Sequence, residues 1–119
     1  MAWIRSHKKS SGGGGDFVKI YFGELVPNTW ISSNDGKQYS EGNWSSTDYL
    51  EVIGGEPLVV MNNGGDSQYN AFYDENKDYI SGFNTNGKPV TVPQNAKYIR
   101  MSNASYLISA DMYYLVPTV

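Results

Sequence analysis

The sequence contains no cysteine, which excludes disulfides, thiolate metal ligands and a cysteine nucleophile. It has a single histidine, His7, which lies among the first residues rather than in a segment with core character. No segment approaches the roughly 20 apolar residues of a membrane-spanning helix. The first residues also lack the apolar run of a secretory signal peptide. We therefore expect a chain that is made in the cytoplasm and has no membrane partner.

The residues give little support for enzymatic chemistry. The glycines at 12–15 follow no strand, precede no helix and lack the lysine and hydroxyl partners of a phosphate-binding loop. Most of the acidic residues fall at turn positions, so no convergent pair of carboxylates indicates a glycosidase. We expect no enzymatic activity and no catalytic residue.

Charge is distributed unevenly along the chain. Residues 1–15 carry three basic and no acidic side chains, whereas the remainder carries six basic against twelve acidic ones. An acidic body does not suit phosphate contacts, so we expect no nucleic acid bound to it. The basic N-terminal arm has three interpretations: it contacts nucleic acid, it contacts an acidic protein surface, or it is a solvated tail.

A Ser/Gly-rich linker at 10–15 separates this arm from the body. We therefore predict a basic arm with its linker at 1–15 and one domain at 16–119. The arm includes two apolar side chains, for which a purely solvated tail has little use, so we hypothesise that it anchors the protein to a partner or a neighbouring copy. The predicted anchoring residues are Trp3, Ile4, Arg5, Lys8 and Lys9.

Helix-forming residues are sparse, whereas the chain has 10 tyrosines and 13 glycines, a composition typical of β structure. Apolar and aromatic residues alternate at Tyr69, Ala71 and Tyr73, break at the polar residues 74–77, and alternate again over 78–83. Two alternating runs around a polar break predict an antiparallel hairpin. Residues 97–101 predict the next strand.

Further strands are predicted where apolar and polar residues alternate or where a short run is continuously apolar, namely at 17–22, 29–31, 48–52, 58–61 and 111–116. We expect the last of these to pair with the first, and the polar stretch 32–46 to be a loop. Roughly eight strands indicate an all-β, antiparallel β-sandwich of jelly-roll type with an extended N-terminal arm. The aromatic residues expected in its core are Phe17, Tyr21, Tyr49, Phe72 or Tyr73, Tyr79, Tyr98 and Tyr114.

Aromatic residues in the polar stretches indicate a carbohydrate site. Sugar rings present apolar faces that stack on aromatic rings, while amide and carboxylate groups bind the hydroxyls. Trp44 fits this function, although it equally fits a lid over the end of the sandwich, and Trp30 fits the core better than a site. The candidate carbohydrate-binding residues are Tyr39, Asn43, Trp44, Asn62, Asn63 and Asp66.

Four acidic residues in turns, Asp35, Asp66, Asp74 and Glu75, stand beside Asn or Gly residues whose carbonyls could help to hold calcium. Ordinary turn chemistry explains the same residues, and it is the interpretation we favour. We expect no cofactor and no metal site, with a structural calcium ion as the lesser alternative.

Three segments resemble a known family: 44–52 (WSSTDYLEV), 71–82 (AFYDENKDYISG) and 91–102 (TVPQNAKYIRMS). They are similar to a small jelly-roll domain of tail-fibre, baseplate and other virion proteins of bacteriophages and prophages, which also occurs in some bacterial surface proteins and resembles carbohydrate-binding modules. The resemblance covers about residues 28–116. It implies framework roles for these segments, with Phe72, Tyr79, Tyr98 and Ile99 in the core, and it assigns a sugar-binding role to no residue.

The resemblance implies a virion accessory protein, located on the particle and attached to other virion proteins through its arm. The jelly roll would be displayed for weak, multivalent binding of host surface glycans, and homo-oligomers would be expected. The alternative is a purely structural capsid or tail decoration protein that binds no glycan. A secreted bacterial carbohydrate-binding module is a third interpretation.

Overall fold

The computed structural model describes residues 17–61, 69–83 and 89–117, and within them it contains β-strands and no helix. No segment of this part of the chain forms a helix that could cross a membrane. The strands are β1 (Phe17–Tyr21), β2 (Leu25–Ile31), β3 (Gln38–Thr47), β4 (Leu50–Glu51), β5 (Pro57–Met61), β6 (Tyr69–Tyr73), β7 (Tyr79–Phe83), β8 (Val90–Thr91), β9 (Tyr98–Ala104) and β10 (Tyr113–Pro117).

The strands form two antiparallel sheets around one main core. The first sheet has four strands in the order β1-β10-β5-β8, and the second has six, in the order β2-β3-β9-β6-β7 with β4 beside β9. Apolar side chains from both sheets fill the space between them; the buried members are Phe22, Val52, Leu58, Val60, Phe72, Val92, Ala96, Ile99, Met101, Ile108, Tyr114 and Val116. The predicted all-β sandwich is confirmed, with ten strands in the described part of the chain rather than about eight. Its jelly-roll connectivity stays a prediction.

The predicted hairpin is confirmed as β6 and β7, which pair antiparallel. Its turn forms because the Asp74 carboxylate accepts hydrogen bonds from the backbone N–H of Asn76 at 2.8 Å and of Asp78 at 3.0 Å. The predicted pairing of the last strand with the first is also confirmed, since β10 pairs with β1 from Tyr113 to Pro117.

The prediction of a loop over the polar stretch 32–46 was wrong, because β3 occupies residues 38–47. Residues 38–43 of this strand are exposed on both faces, so apolar and polar residues do not alternate along it and the sequence pattern does not predict a strand. β3 is held by backbone ladders, with β2 at residues 38–40 and 45–47 and with β9 at residues 44–46. β2 begins at Leu25, four residues before the strand predicted at 29–31.

Three aromatic residues expected in the core are exposed. Phe17 is 47% and Tyr21 55% exposed, because Val18 and Ile20 are the inward-facing residues of β1. Tyr79 is 37% exposed, and its hydroxyl donates to the Ser33 carbonyl at 2.7 Å. The core prediction is confirmed for Phe72, Tyr73, Ile99 and Tyr114, while Tyr49 and Tyr98 are half-buried.

A small second core lies on the outer face of the six-stranded sheet. The hairpin of β2 and β3 folds over this face, which buries Ile31 completely against Ala71 and Tyr73. The Ile31 N–H donates to the Ser102 hydroxyl at 3.0 Å, and the Tyr73 hydroxyl donates to the Gly36 carbonyl at 2.6 Å. These contacts hold the end of the hairpin above β6 and β9, and they determine where its aromatic side chains lie.

Candidate binding site on the outer face of the six-stranded sheet

An irregular pairing between β2 and β3 bends this hairpin. Pro27 is opposite Ser45 and Thr29 is opposite Ser40, so one residue of β2 faces the four residues 41–44 of β3. Bulges of this kind bend a strand and redirect its side chains. Asn28 on one strand and Asn43 on the other have positive φ angles of 59° and 71°, a conformation that asparagine tolerates better than most residues.

Four aromatic side chains meet beside the bulge: Trp30, Tyr39, Trp44 and Tyr69, here called the aromatic cluster. The Trp44 and Tyr69 rings stack with centroids 5.5 Å apart and planes inclined by 16°. The Trp30 ring lies 5.4 Å from Tyr69 with an inclination of 51°, and 5.3 Å from Tyr39 with an inclination of 28°. The result is a row of rings from Trp44 through Tyr69 and Trp30 to Tyr39.

Strand order explains how Trp44 reaches Tyr69. The two residues lie on β3 and β6, with β9 between them. The residues of β9 opposite them are small, because Trp44 pairs with Ala104 and Tyr69 pairs with Ser102. Large rings on the flanking strands therefore meet above the middle strand, since neighbouring strands are only about 4.8 Å apart.

A pocket of about 240 Å³ opens between these rings, lined by Trp30, Glu41, Trp44 and Tyr69. Tyr39 and Tyr69 are each 41% exposed, and both tryptophans are half-buried, so ring surface remains accessible to a ligand. Glu41 comes from the bulge and is the only charged residue among the described residues of the lining. The arrangement offers an apolar surface with one carboxylate, which suits a small ligand with an apolar side and a polar or positive group.

Asp35 fixes the far end of the row. Its carboxylate accepts hydrogen bonds from the Tyr39 hydroxyl at 2.6 Å and from the Lys37 N–H at 2.9 Å. The Tyr39 hydrogen bond is the main cause that lowers the pKa of Asp35, and the same bond raises the pKa of Tyr39. Asp35 therefore closes a turn and orients a ring of the cluster.

The calcium alternative gains no support from the geometry. Both Asp35 and Asp74 direct carboxylate oxygens at N–H groups of their own turns. Across residues 17–61, 69–83 and 89–117, no group of three or more His, Asp or Glu side chains is placed to hold a metal ion. Asp66, the remaining loop aspartate of that prediction, lies outside the described residues.

Two of the six predicted carbohydrate-binding residues, Tyr39 and Trp44, are brought together in the aromatic cluster. Asn43 is exposed at the bulge, where its carbonyl accepts a hydrogen bond from the Ser105 N–H at 2.7 Å. Asn62, Asn63 and Asp66 lie outside the described residues, as do all the predicted anchoring residues, namely Trp3, Ile4, Arg5, Lys8 and Lys9.

Sequence reasoning missed three members of the site. Trp30, favoured as a core residue, is half-buried and stacks with Tyr39 instead. The sequence pattern predicts Tyr69 only as a strand residue of the hairpin, and Glu41 only as part of a polar stretch. Tyr69 carried a usable signal, because its alternation with Ala71 and Tyr73 placed it on one face of a strand.

A second pocket of about 420 Å³ lies between the turn of β6 and β7 and the loop before β9. Its lining consists of Asp74, Glu75, Asn76, Gln94, Asn95, Ala96 and Lys97. No aromatic ring of the described residues contributes to it, so they provide no apolar platform like the one that makes the aromatic cluster a binding-site candidate.

Comparison of the chain with protein-family models, curated proteins and solved structures found no match. The interpretation of the aromatic cluster therefore rests on its own geometry.

Proposed function

We propose that this protein is a bacteriophage or prophage virion accessory protein that holds host surface glycans weakly through the aromatic cluster. The observation that carries the glycan-binding part is the exposed row of four rings with a carboxylate beside it. A soluble β-sandwich seldom leaves such rings accessible without a binding partner, because each buries a large apolar area when it is covered.

The virion setting is supported by the resemblance of segments 44–52, 71–82 and 91–102 to small domains of virion proteins. In this proposal the basic arm attaches to other virion proteins, and the sandwich is displayed in several copies. Each site would bind weakly, and many sites on one particle would supply the avidity. The proposal includes no catalysis and no cofactor.

The experiment that tests glycan binding is a pull-down of the protein on host cell wall, using a multivalent display so that weak sites are detected. Trp44→Ala is compared with the wild type and with Tyr21→Ala, whose exposed ring lies on the other sheet. We expect the wild type and Tyr21→Ala to bind and Trp44→Ala to lose binding at unchanged thermal stability. A folded wild type that fails to bind host wall would contradict the proposal.

A purely structural virion protein that binds no glycan is the second candidate, and one surface favours it. The outward side of β1 and β10, here called the β1 face, carries Phe17, Tyr21, Tyr113 and Leu115. Lys19 is the charged residue among them, and its ammonium lies 4.7 Å from the centre of the Tyr113 ring. Such a large apolar sheet face is typical of a protein interface.

The occupant we propose for the β1 face is a second copy of this chain. Phe17 is two residues beyond the predicted arm and linker, so copies anchored side by side through their arms would meet at this strand. Among the described strands, β1 is also at the edge of its sheet, and the outer backbone groups of an edge strand can pair with another strand. Sedimentation at several concentrations should show association that Tyr21→Lys abolishes and Trp44→Ala preserves. A monomeric wild type would exclude this contact.

A further inference from the structure

Two other aromatic groups on the described surface have cations of this chain over their rings. Lys19 lies over Tyr113, and Arg100 lies over Tyr49 with its guanidinium carbon 5.0 Å from the ring centre. Lys77 covers both Tyr49, at 5.0 Å, and Tyr98, at 5.4 Å. Cation–π contact is therefore a repeated feature of this protein, and at those places a side chain of the chain itself occupies the negatively charged ring face.

The aromatic cluster is different, because no lysine or arginine of the described residues lies over any of its four rings. Among the described residues, the charged side chain that lines the pocket with three of these rings is instead a carboxylate, that of Glu41. Within the described chain, no hydrogen bond or ion pair occupies that carboxylate. A second carboxylate, Asp35, is bound to Tyr39 at the end of the row.

Three aromatic rings and a carboxylate without a partner in the described chain line this pocket, and they attract positive charge for two separate reasons. The face of an aromatic ring carries negative charge density that draws a cation, and a carboxylate adds direct Coulomb attraction. The same groups repel carboxylates and phosphates. The volume of about 240 Å³ suits a single head group rather than a long chain.

We infer that the pocket between Trp30, Trp44 and Tyr69 binds an organic ammonium group, with Glu41 as its counter-charge. The inference rests on the proposed function in one respect, since the ammonium group would be carried by a host surface polymer. Two sources share this chemistry: a quaternary ammonium substituent of the choline type, and the free amino group of an amino sugar. A polymer that offers only acidic sugars or phosphates is excluded as a ligand.

Titration with choline chloride, followed by tryptophan fluorescence, tests the inference. The matched probe is the uncharged alcohol in which a carbon atom replaces the nitrogen, because it has the same shape without the charge. We expect choline to bind roughly tenfold more tightly than this alcohol. A second pair, glucosamine and N-acetylglucosamine, distinguishes the amino-sugar source from the quaternary one.

Glu41→Gln is the decisive variant, because it keeps the side-chain size and removes only the charge. It should weaken ammonium binding by about three- to tenfold and leave binding of the uncharged alcohol unchanged. Glu75→Gln, at an exposed glutamate in the turn between β6 and β7 that lines the second pocket, is the control and should change neither. Equal affinity for choline and its uncharged analogue, or no binding of either ammonium probe, would overturn the inference.

These outcomes are separate from those of the cell-wall experiment. Wall binding that depends on Trp44 but not on Glu41 would keep the proposed function and refute the ammonium site. Ammonium binding that depends on Glu41, without any binding to host wall, would keep the site and refute the proposed function.

Discussion

Substitution of Gly82 by alanine tests whether the β2–β3 hairpin is held against β7. Gly82 lies under the turn of this hairpin, and a methyl group there would overlap the Ser33 carbonyl oxygen and lie 2.5 Å from the Ser33 side chain. The turn would have to move away from the sheet. That movement would stretch the hydrogen bond from the Tyr79 hydroxyl to the Ser33 carbonyl, which is 2.7 Å long.

The expected cost combines two effects. Inserting a methyl group into a closely packed contact costs about 1–3 kcal/mol, and weakening the hydrogen bond adds about 1 kcal/mol. We therefore expect Gly82→Ala to lower the free energy of unfolding by about 2–4 kcal/mol. Gly42→Ala is the matched control, because nothing lies within 4 Å of the added methyl group.

Urea denaturation of both variants measures the difference, and near-ultraviolet circular dichroism reports on the aromatic cluster. We expect Gly82→Ala to change the dichroism as well, since moving the turn shifts Trp30 and Tyr39 relative to Tyr69. A Gly82→Ala protein as stable as Gly42→Ala would refute the close contact between this turn and β7, and with it our account of how the cluster is positioned.

Two further predictions concern pH. Burial raises the pKa of Tyr73 and Tyr114 in the folded protein, so their contribution to the free energy of unfolding should be fully present below about pH 10 and decrease as the pH rises further. Urea midpoints measured across this range should fall less steeply for Tyr114→Phe than for the wild type. The Tyr39 hydrogen bond lowers the pKa of Asp35, so its contribution should be present above the ordinary value of 3.8 and be lost as the pH falls below it. Asp35→Asn should remove that part of the acid dependence in thermal unfolding, and an unchanged acid profile would contradict the assignment.

Alternation of apolar and polar residues predicted those parts of the fold that depend on residues close together in the sequence. The β6–β7 hairpin follows from alternation around a polar turn, and the turn forms because Asp74 accepts hydrogen bonds from backbone groups within four residues of itself. The pairing of β10 with β1 was also predictable, because both segments alternate and the inward residues are apolar.

The binding site was only half predictable, because its geometry depends on strand order and on a polar strand. β3 is exposed along residues 38–43, so its sequence looks like a loop. Trp44 and Tyr69 meet only because β9 lies between their strands and contributes Ala104 and Ser102 there. Composition could suggest Trp44 and Tyr39 as ligand contacts, but it could not indicate that the bulge brings Glu41 beside them.

The most direct test of the central claim is a nuclear magnetic resonance titration of the indole N–H signals with soluble fragments of host cell wall. The chain has three tryptophans, of which Trp30 and Trp44 belong to the aromatic cluster and Trp3 to the arm, so Trp3 serves as an internal control. We predict that the Trp30 and Trp44 signals shift with the fragments while the Trp3 signal does not. Binding of the fragments without any shift at Trp30 or Trp44 would contradict the assignment of the glycan site to the aromatic cluster.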